Sequence, residues 1–334
     1  MVKRVKKEKK RILKKWLAII GLVFFCGLVV KIGLSYQKRI WQRGRLNFVF
    51  AGEPILVLSL SPKDKSLTII KIPANTYLEV TRGYGFYRAS AVYPLGELEG
   101  RGGQLLAETV QEFLGRPIEG YIRINSKLKA QNSKLNKEEI IELKKEITSW
   151  GIFLRPRVLI EFLKEDLKTN FCFWDELKIW LNLKKIKPAR IELIDLDKAM
   201  VLEDFSLPDQ EIVKKGDPVL IDNLLKESFF EPEIRKENIS IKVLNGTNHS
   251  NLAEKAARLV TNLGAKVDKV GDSEEKVTET QIKANQQAKK SFTLAKIKEI
   301  FAAEVKFSTT LEQDEEEIIL IIGEDYYQKL FLKE

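Results

Sequence analysis

The chain has 334 residues, enough for about two domains, and its 44% hydrophobic content is normal for a globular protein. The net charge of +10 is concentrated at the N-terminus, where residues 1–45 carry +13 and the remainder of the chain carries −3. A body this close to neutral lacks a domain-wide basic surface, which excludes a protein organised around nucleic-acid binding.

The N-terminus has the pattern of a membrane anchor. A basic tail, 1–15, precedes the uncharged run Trp16–Val30, and Tyr36 supplies an aromatic residue at the far end of the apolar stretch. A cleaved signal peptide is the alternative, but no small-residue cleavage site follows the run. The sequence therefore predicts a cytoplasmic tail and a single transmembrane anchor at 16–36, with the body outside the cell membrane because the heavier positive flank precedes the span.

Cysteine and histidine are scarce, which limits the chemistry available. Cys26 lies in the apolar run, so Cys172 is the only thiol of the body and no disulfide can form within it. We expect Cys172 to be a small buried hydrophobic residue. His249 has no histidine or cysteine partner, so neither a zinc site nor a Cys–His nucleophile pair is expected.

The first half of the body predicts a mixed sheet with helices. After a juxtamembrane stalk at 37–48, the apolar runs 55–60 and 67–72 flank SPKDKS and predict a β-hairpin that is buried on both faces. A loop rich in glycine and tyrosine is expected over 81–103. The next predicted element is a helix whose apolar stripe contains Leu106, Val110, Phe113 and Leu114.

The chain from 120 to 236 alternates apolar and polar stretches. GYIRIN (120–125) predicts a strand, and the lysine-rich segment 126–139 predicts an exposed connection. A capping box within that segment starts a helix whose inner face carries Ile140, Leu143, Ile147 and Trp150. A further helix at 175–186 and a strand at 190–196 follow, and 201–236 is predicted to be a linker.

The last hundred residues predict a separate domain at 237–334. Its expected order is β-α-β-β-α-β, a split βαβ arrangement. Strands are predicted at 239–244, 265–270, 277–284 and 316–323, and helices at 251–263 and 292–301. No catalytic constellation occurs in this part of the sequence, which favours a binding or docking domain.

The segment EGRGGQ (99–104) directly precedes a predicted helix. Glycines at a helix start let backbone N–H groups approach an anion, and Arg101 would add positive charge. A loop–helix junction also uses glycine for reasons of packing and turn geometry. Substrate binding by Arg101, Gly102 and Gly103 is therefore one of two interpretations.

Several segments together resemble the LytR-CpsA-Psr proteins. These are the IPxxTY pattern at 72–77, GGQLLAETVQEFLGRPIEGY at 102–121 and TNFCFWDEL at 169–177, while 242–267 is similar to the LytR C-terminal domain. The resemblance implies an α/β (α+β) fold with an LCP-like domain at 49–200. It also implies a membrane-anchored bacterial enzyme that transfers glycopolymers from a polyprenyl diphosphate carrier to peptidoglycan, with arginines on the diphosphate and carboxylates on magnesium.

The residues that would perform this transfer match the family poorly. The family's Arg-Asp pair falls on Ala74 and Asn75, and a nearby arginine falls on Ala51. The family's metal-binding aspartate falls on Glu53, which still carries a carboxylate, and Arg88 takes the position of a basic residue. The turn after the second hairpin strand therefore resembles a catalytic turn whose charges have been removed.

These observations favour a shortened, degenerate transferase domain that binds glycan, lipid carrier or a protein partner, which makes the chain a pseudoenzyme of the cell envelope. Loss of a single preorganised contact to a transition state lowers the rate by roughly 10²–10³. One alternative is an active transferase that uses Glu53, Arg88 and Arg101 with Mg²⁺. The other is a structural envelope scaffold that binds no small ligand. None of these three hypotheses involves nucleic acid.

Overall fold

The computed structural model describes residues 33, 36–124, 136–148, 167–307 and 317–332. The residues cluster into two compact units, Met1–Gln42 with Phe171–Leu181, and Arg43–Asn170 with Asn182–Glu334. The predicted tail and most of the predicted anchor, 1–35 apart from residue 33, lie outside the described residues. Among the helices that the structure does describe, none combines the length and apolar character needed to cross a bilayer.

The larger unit contains a six-stranded mixed sheet in the order β7-β6-β1-β2-β3-β8. Four of its strands, β1, β3, β6 and β8, run in the same direction, and β2 is antiparallel to both of its neighbours. The strands are β1 (Leu46–Phe50), β2 (Ile55–Ser61), β3 (Ser66–Ile72), β6 (Gly120–Ile124), β7 (Leu167–Thr169) and β8 (Ile191–Asp195). The hairpin predicted from 55–60 and 67–72 is confirmed, with Val57 opposite Ile70 and both side chains buried.

Two helices cover one face of this sheet and complete its core, α1 (Ala89–Glu97) and α2 (Gly102–Leu114). The predicted apolar stripe of α2 is buried at Leu106, Val110 and Leu114, while Phe113 is partly buried. The helices approach closely at Gly96, where a Cβ atom would lie 2.9 Å from the Cα of Gly102. Glycine is required there because any larger side chain would push the helices apart.

The predicted loop over 81–103 is wrong in its secondary structure. The strand β5 (Gly85–Arg88), which pairs with β4 (Tyr77–Val80), and the whole of α1 lie within it. Its glycines, tyrosines and Pro94 are typical of a loop, but Val92 and Tyr93 are buried in the core. Burial of these side chains outweighs the weak local helix preference.

The segment predicted as a linker, 201–236, contains ordered elements. A hairpin of β9 (Leu202–Ser206) and β10 (Ile212–Gly216) comes first, followed by α5 (Pro218–Leu225) and α6 (Pro232–Glu237). Asp217 caps α5 by accepting hydrogen bonds from the amides of Val219 and Leu220 at 2.7 and 3.1 Å. Two further helices of the chain are α3 (Lys137–Ile147) and α4 (Phe173–Lys185). Trp150 of the predicted helical face lies outside the described residues.

A second sheet of five strands forms the C-terminal part, in the order β12-β11-β15-β13-β14. Its elements are β11 (Ser240–Asn245), α7 (Leu252–Asn262), β12 (Lys266–Asp272), β13 (Gln281–Ala284), α8 (Phe292–Phe301), β14 (Glu304–Phe307), β15 (Ile318–Ile322) and α9 (Glu324–Phe331). The mixed α/β architecture predicted from the sequence is confirmed. The prediction omitted β14 and α9. The strand β14 is short and mostly exposed, and it lacks an alternating apolar pattern.

Candidate functional site

The turn that follows β3 lies at the edge where β1, β3, β6 and β8 all end. In open α/β sheets this carboxyl edge is where ligands bind. The turn holds Ala74 and Asn75, whose carbonyl groups accept hydrogen bonds from the amides of Ser90 and Lys214, both at 3.1 Å. The hydroxyl of Thr76 is fully buried and makes no hydrogen bond. The turn is therefore held by its backbone and presents only a methyl group and an amide.

The cations around this turn are each paired with a carboxylate of the same chain. Lys71, at the end of β3, contacts Asp195 at 3.0 Å, and both side chains are largely buried. Lys214 on β10 contacts Asp204 at 2.9 Å and Asp197 at 3.1 Å. Hydrogen bonding to these two carboxylates raises the pKa of Lys214. The positive charge near the turn is therefore balanced internally.

Arg88, the predicted substrate-binding residue at the end of β5, forms an ion pair with Glu211. Glu211 lies immediately before β10, whose backbone also bridges to the turn between Lys214 and Thr76. The Glu211 carboxylate thus lies beside the Arg88 guanidinium, where a substrate phosphate would have to bind. The pair is about half exposed, so an incoming anion can compete for Arg88.

The start of α2 gives a structural reason for both predicted glycines. A Cβ atom at Gly102 would lie 2.6 Å from Cγ of Glu97 and from the carbonyl oxygen of Tyr93, and one at Gly103 would collide with the ring of Tyr121. Glu97 accepts a hydrogen bond from the Gly102 amide, so a carboxylate of the chain already meets this helix start. Anion binding here remains a prediction.

Glu97 lies in a small polar cluster beside this helix start. Lys168 donates a hydrogen bond to its carboxylate and is the main reason why the pKa of Glu97 is lowered. Burial, followed by the Glu97 charge, raises the pKa of the Tyr93 hydroxyl well above its usual value. The guanidinium of Arg123 stacks on the ring of Tyr93, 4.1 Å from its centroid. The predicted anion contact Arg101 lies beside this cluster, 3.7 Å from Glu99.

Glu53, the predicted metal ligand, is exposed in the turn between β1 and β2, next to buried Ala51. The described part of the chain contains no group of three or more acidic, histidine or cysteine side chains placed to hold a metal ion. A magnesium ion at Glu53 would therefore need oxygen ligands from the substrate or water. Metal binding at Glu53 is not tested by this arrangement and stays a prediction.

The opposite end of α2 is clamped by the C-terminal domain. Arg258 on α7 donates hydrogen bonds to the carbonyl groups of Glu112 and Phe113 at 2.8 and 3.2 Å, and to both oxygens of Asp222 at 2.8 and 2.9 Å. Asn262 donates to the carbonyl of Gly115 at 2.9 Å. These donors satisfy the carbonyl groups that a helix end leaves unpaired. The sequence offered no signal for this contact.

A second polar contact between the two sheets is deeply buried. Lys296 on α8 lies 2.8 Å from Glu119, and only 3% and 9% of the two side chains are exposed. Burial alone would lower the pKa of Lys296, but the charges of Glu119, Glu299 and Glu231 outweigh it and raise that pKa. Glu231 accepts a hydrogen bond from the amide of Arg45 at 2.6 Å. Paired charges thus join the C-terminal sheet to the first sheet within the larger unit.

Comparison with known protein families bears on the C-terminal part of the chain. Residues 238–326 match the family described as the LytR cell envelope-related transcriptional attenuator. No curated protein matches the sequence.

Several solved structures are similar over about half of the chain. Bacillus subtilis TagV is 14% identical, covers 55% of this chain and 95% of its own, and gives a TM-score of 0.42. B. subtilis TagU is 13% identical over 55% and 95% of the chains with a TM-score of 0.39. Protein gbs0355 from Streptococcus agalactiae is 11% identical over 54% and 85%, with a TM-score of 0.41.

With TM-scores below 0.5, these structural likenesses add no argument of their own, so the assignment of the C-terminal part rests on the family match. The matched range, 238–326, coincides with the second sheet and its helices. The match confirms the resemblance to the LytR C-terminal domain that the sequence indicated at 242–267, and residues 238–326 belong to that domain family.

Proposed function

We propose that this chain is a cell-envelope protein whose transferase-like domain binds a diphosphate-linked glycan carrier weakly and does not transfer the glycan. One observation carries the proposal. The turn at the carboxyl edge of the first sheet holds Ala74 and Asn75, and the cations around it, Lys71, Arg88 and Lys214, are paired with carboxylates of the chain. Arg88 in its half-exposed pair remains available for exchange.

The argument against transfer is electrostatic. Diphosphate chemistry depends on cations that neutralise charge as it develops and on a carboxylate-held metal ion. Ala74 and Asn75 supply neither, and a substitution of arginine by alanine also removes bidentate phosphate geometry. Two such losses at roughly 10²–10³ in rate each would leave little turnover.

Binding of the carrier is supported by the groups that remain. A hydrogen bond to a charged group contributes about 1.5–3 kcal/mol, so two such bonds to a diphosphate give a measurable affinity. Arg88 and Arg101 are both partly exposed, and their partners Glu211 and Glu99 are surface carboxylates. Exchange of a surface carboxylate for a phosphate is inexpensive because such ion pairs contribute about 0–1 kcal/mol.

The proposal includes a membrane anchor at 16–36 with the N-terminus in the cytoplasm, supported by the charge asymmetry of the sequence. The ligand then reaches the body from outside the membrane, where polyprenyl carriers present their glycans to the wall. Protease added to intact spheroplasts should digest residues 46–334. Full protection of the body would contradict this topology.

The test of function is titration calorimetry of the detergent-solubilised chain with an isoprenoid diphosphate, beside a glycopolymer-transfer assay. We expect weak binding and no transfer. Arg88→Ala should weaken binding, whereas Arg190→Ala, at an exposed arginine of the 3₁₀ turn Pro188–Arg190, should leave it unchanged. The double substitution Ala74→Arg with Asn75→Asp should strengthen binding when magnesium is present.

Two outcomes would overturn the proposal. Transfer by the unaltered chain at an enzymatic rate would show that Glu53, Arg88 and Arg101 form a working site. Absence of diphosphate binding even in the double substitution would favour a scaffold without a small ligand.

A further inference from the structure

The smaller unit exposes a cluster of aromatic side chains. It combines residues 36–42 with Phe171–Leu181. The ring of Trp174 makes edge contacts with Tyr36 and with Phe173, each at 5.8 Å between centroids. Tyr36 is 48% exposed and Phe173 is 61% exposed. The exposed rings of Tyr36 and Phe173, joined through the partly buried ring of Trp174, form an apolar patch of the kind that marks a contact surface.

This patch is held in place by one buried carboxylate. Asp175 is 1% exposed and accepts hydrogen bonds from the amides of Ile40 and Trp41 at 2.9 and 3.0 Å. It also accepts a hydrogen bond from the amide of Cys172 at 3.4 Å, at the start of α4. The segment 36–42 is thereby fixed against α4, so the exposed rings are preorganised.

Cations border the aromatic cluster. The guanidinium of Arg39 lies 4.0 Å from the centroid of the Tyr36 ring, and Lys178 lies 4.1 Å from that of Trp41. Lys38 is exposed beside them. Of the two carboxylates in the described part of this unit, Asp175 is buried in its cap and Glu176 is partly buried. The charge offered to solvent is therefore mainly positive.

The position of the patch along the chain identifies what it faces. The uncharged run Trp16–Val30 ends six residues before Tyr36. This step rests on the proposed membrane anchor at 16–36. Given that anchor, Tyr36 is its last residue, so the patch begins at the membrane–water boundary, beside a headgroup layer about 5–8 Å thick.

We propose that Tyr36, Arg39, Phe173 and Trp174 form a docking surface for the headgroup region of an anionic phospholipid bilayer. Aromatic side chains with a polar edge concentrate at the membrane–water boundary, where their rings contact the upper acyl chains. Arginine and lysine beside them contact lipid phosphates. A surface that combines exposed rings with positive charge matches this environment better than it matches a polyanion or an apolar protein groove.

The experiment uses the full-length chain in nanodiscs of phosphatidylglycerol and phosphatidylcholine that contain a photoreactive phospholipid with a diazirine near its headgroup. Cross-linked peptides are quantified by mass spectrometry. We expect labelling of 171–181 to exceed labelling of the peptide around Phe205, an exposed aromatic residue of β9, by about fivefold or more, because interfacial rings lie at the depth of the diazirine. Phe173→Ser should reduce labelling of α4, whereas the matched control Phe205→Ser should not.

A second comparison isolates the electrostatic part. Lys38→Glu with Arg39→Glu should abolish the preference for phosphatidylglycerol over pure phosphatidylcholine nanodiscs. Hydrogen exchange of the Ile40 and Trp41 amides, which should stay slow in each variant, shows that the unit remains folded.

Labelling of 171–181 no higher than at Phe205, or labelling that is unaffected by Phe173→Ser, would overturn the docking surface. Carbonate extraction separates this failure from failure of the anchor. A chain released by carbonate has no transmembrane anchor, and the same labelling on preformed vesicles of the same lipids then tests the surface alone. If these rings were instead found cross-linked to a wall glycan or to a protein in cells, the docking surface would also be overturned.

Discussion

The ion pair between Lys296 and Glu119 gives the sharpest test of how the two domains are joined. Lys296→Met keeps most of the side-chain volume and removes the charge. Glu119 would retain its hydrogen bond from the Asn47 amide at 2.8 Å but would lose its countercharge. Removing one partner of a buried ion pair typically costs about 3–5 kcal/mol, because the remaining charge is buried without compensation.

The stability lost in Lys296→Met should come from the unpaired charge of Glu119 and not from lost packing. Adding Glu119→Gln to Lys296→Met removes the orphaned charge and should recover most of the stability, with a coupling energy toward the upper end of about 0.5–3 kcal/mol. Lys298→Met, at an exposed lysine of the same helix, is the matched control and should change stability by less than about 0.5 kcal/mol. Urea unfolding of five proteins, the unaltered chain, Lys296→Met, Glu119→Gln, the double variant and Lys298→Met, followed by circular dichroism, measures these differences.

The pair also predicts a pH dependence. Its carboxylates raise the pKa of Lys296 in the folded chain. A raised folded pKa contributes stability that is fully present below the unfolded lysine value of about 10.4 and is lost as the pH rises through the folded pKa. The unaltered chain should therefore lose stability in that alkaline range more steeply than Lys296→Met. Equal costs for Lys296→Met and Lys298→Met at neutral pH would refute the reasoning.

Three further predictions concern other contacts. Gly103→Ala should destabilise the chain by about 1–3 kcal/mol because its Cβ atom collides with the Tyr121 ring, whereas Gly271→Ala, with open space around it, should be close to neutral in the same urea assay. Arg258→Ala should lower the free energy of unfolding by about 2–3 kcal/mol. Arg258→Lys should lower it by a similar amount, because a lysine cannot bridge Asp222 and the end of α2 together. Asp175→Ala should accelerate amide hydrogen exchange at Ile40 and Trp41, by a factor corresponding to about 1–2 kcal/mol, without changing exchange in β2.

The sequence predicted those elements whose signal is local. The runs 55–60 and 67–72 are continuous apolar stretches around a turn, and they form β2 and β3 with the expected pairing. Helix α7 was placed within one residue at each end, because its alanine- and leucine-rich stripe repeats with the helical period. The first strand of the C-terminal sheet was predicted for the same kind of reason.

Elements stabilised by distant contacts were missed. Helix α1 contains Pro94 and Gly96, which weaken the local helix signal, and it is stabilised by burial against α2 and the sheet. The hairpin β9–β10 lies in a polar segment, and it supplies the partner of Arg88. That pair joins residues 123 positions apart, so no local pattern in one sequence indicates it.

The candidate site divides in the same way. Local motifs located the turn at Ala74 and the helix start at Gly102, and the sequence shows that Ala74 and Asn75 carry no charge. They did not indicate Lys71, Asp195 or Lys214, because these side chains meet only when the strand ends are brought to one edge of the sheet. The backbone elements of the site could be predicted from the sequence, whereas its ion pairs could be identified only from the three-dimensional structure.

That balance also determines which cation a diphosphate can recruit. The side chains of Lys71 and Asp195 are largely buried, so separating this pair would leave a charge without compensation, at a cost of several kcal/mol. The pair of Arg88 with Glu211 is half exposed and contributes about 0–1 kcal/mol, so a phosphate can replace the carboxylate with little loss. An anion that reaches the turn should therefore displace Glu211 and leave the Lys71 pair intact. Glu211→Gln should therefore tighten diphosphate binding, because it frees Arg88. Lys71→Met should mainly reduce the stability of the chain. Calorimetry measures the first effect and urea unfolding measures the second. Weaker binding in Lys71→Met, with no change in Glu211→Gln, would show that Lys71, and not Arg88, is the cation that meets the ligand.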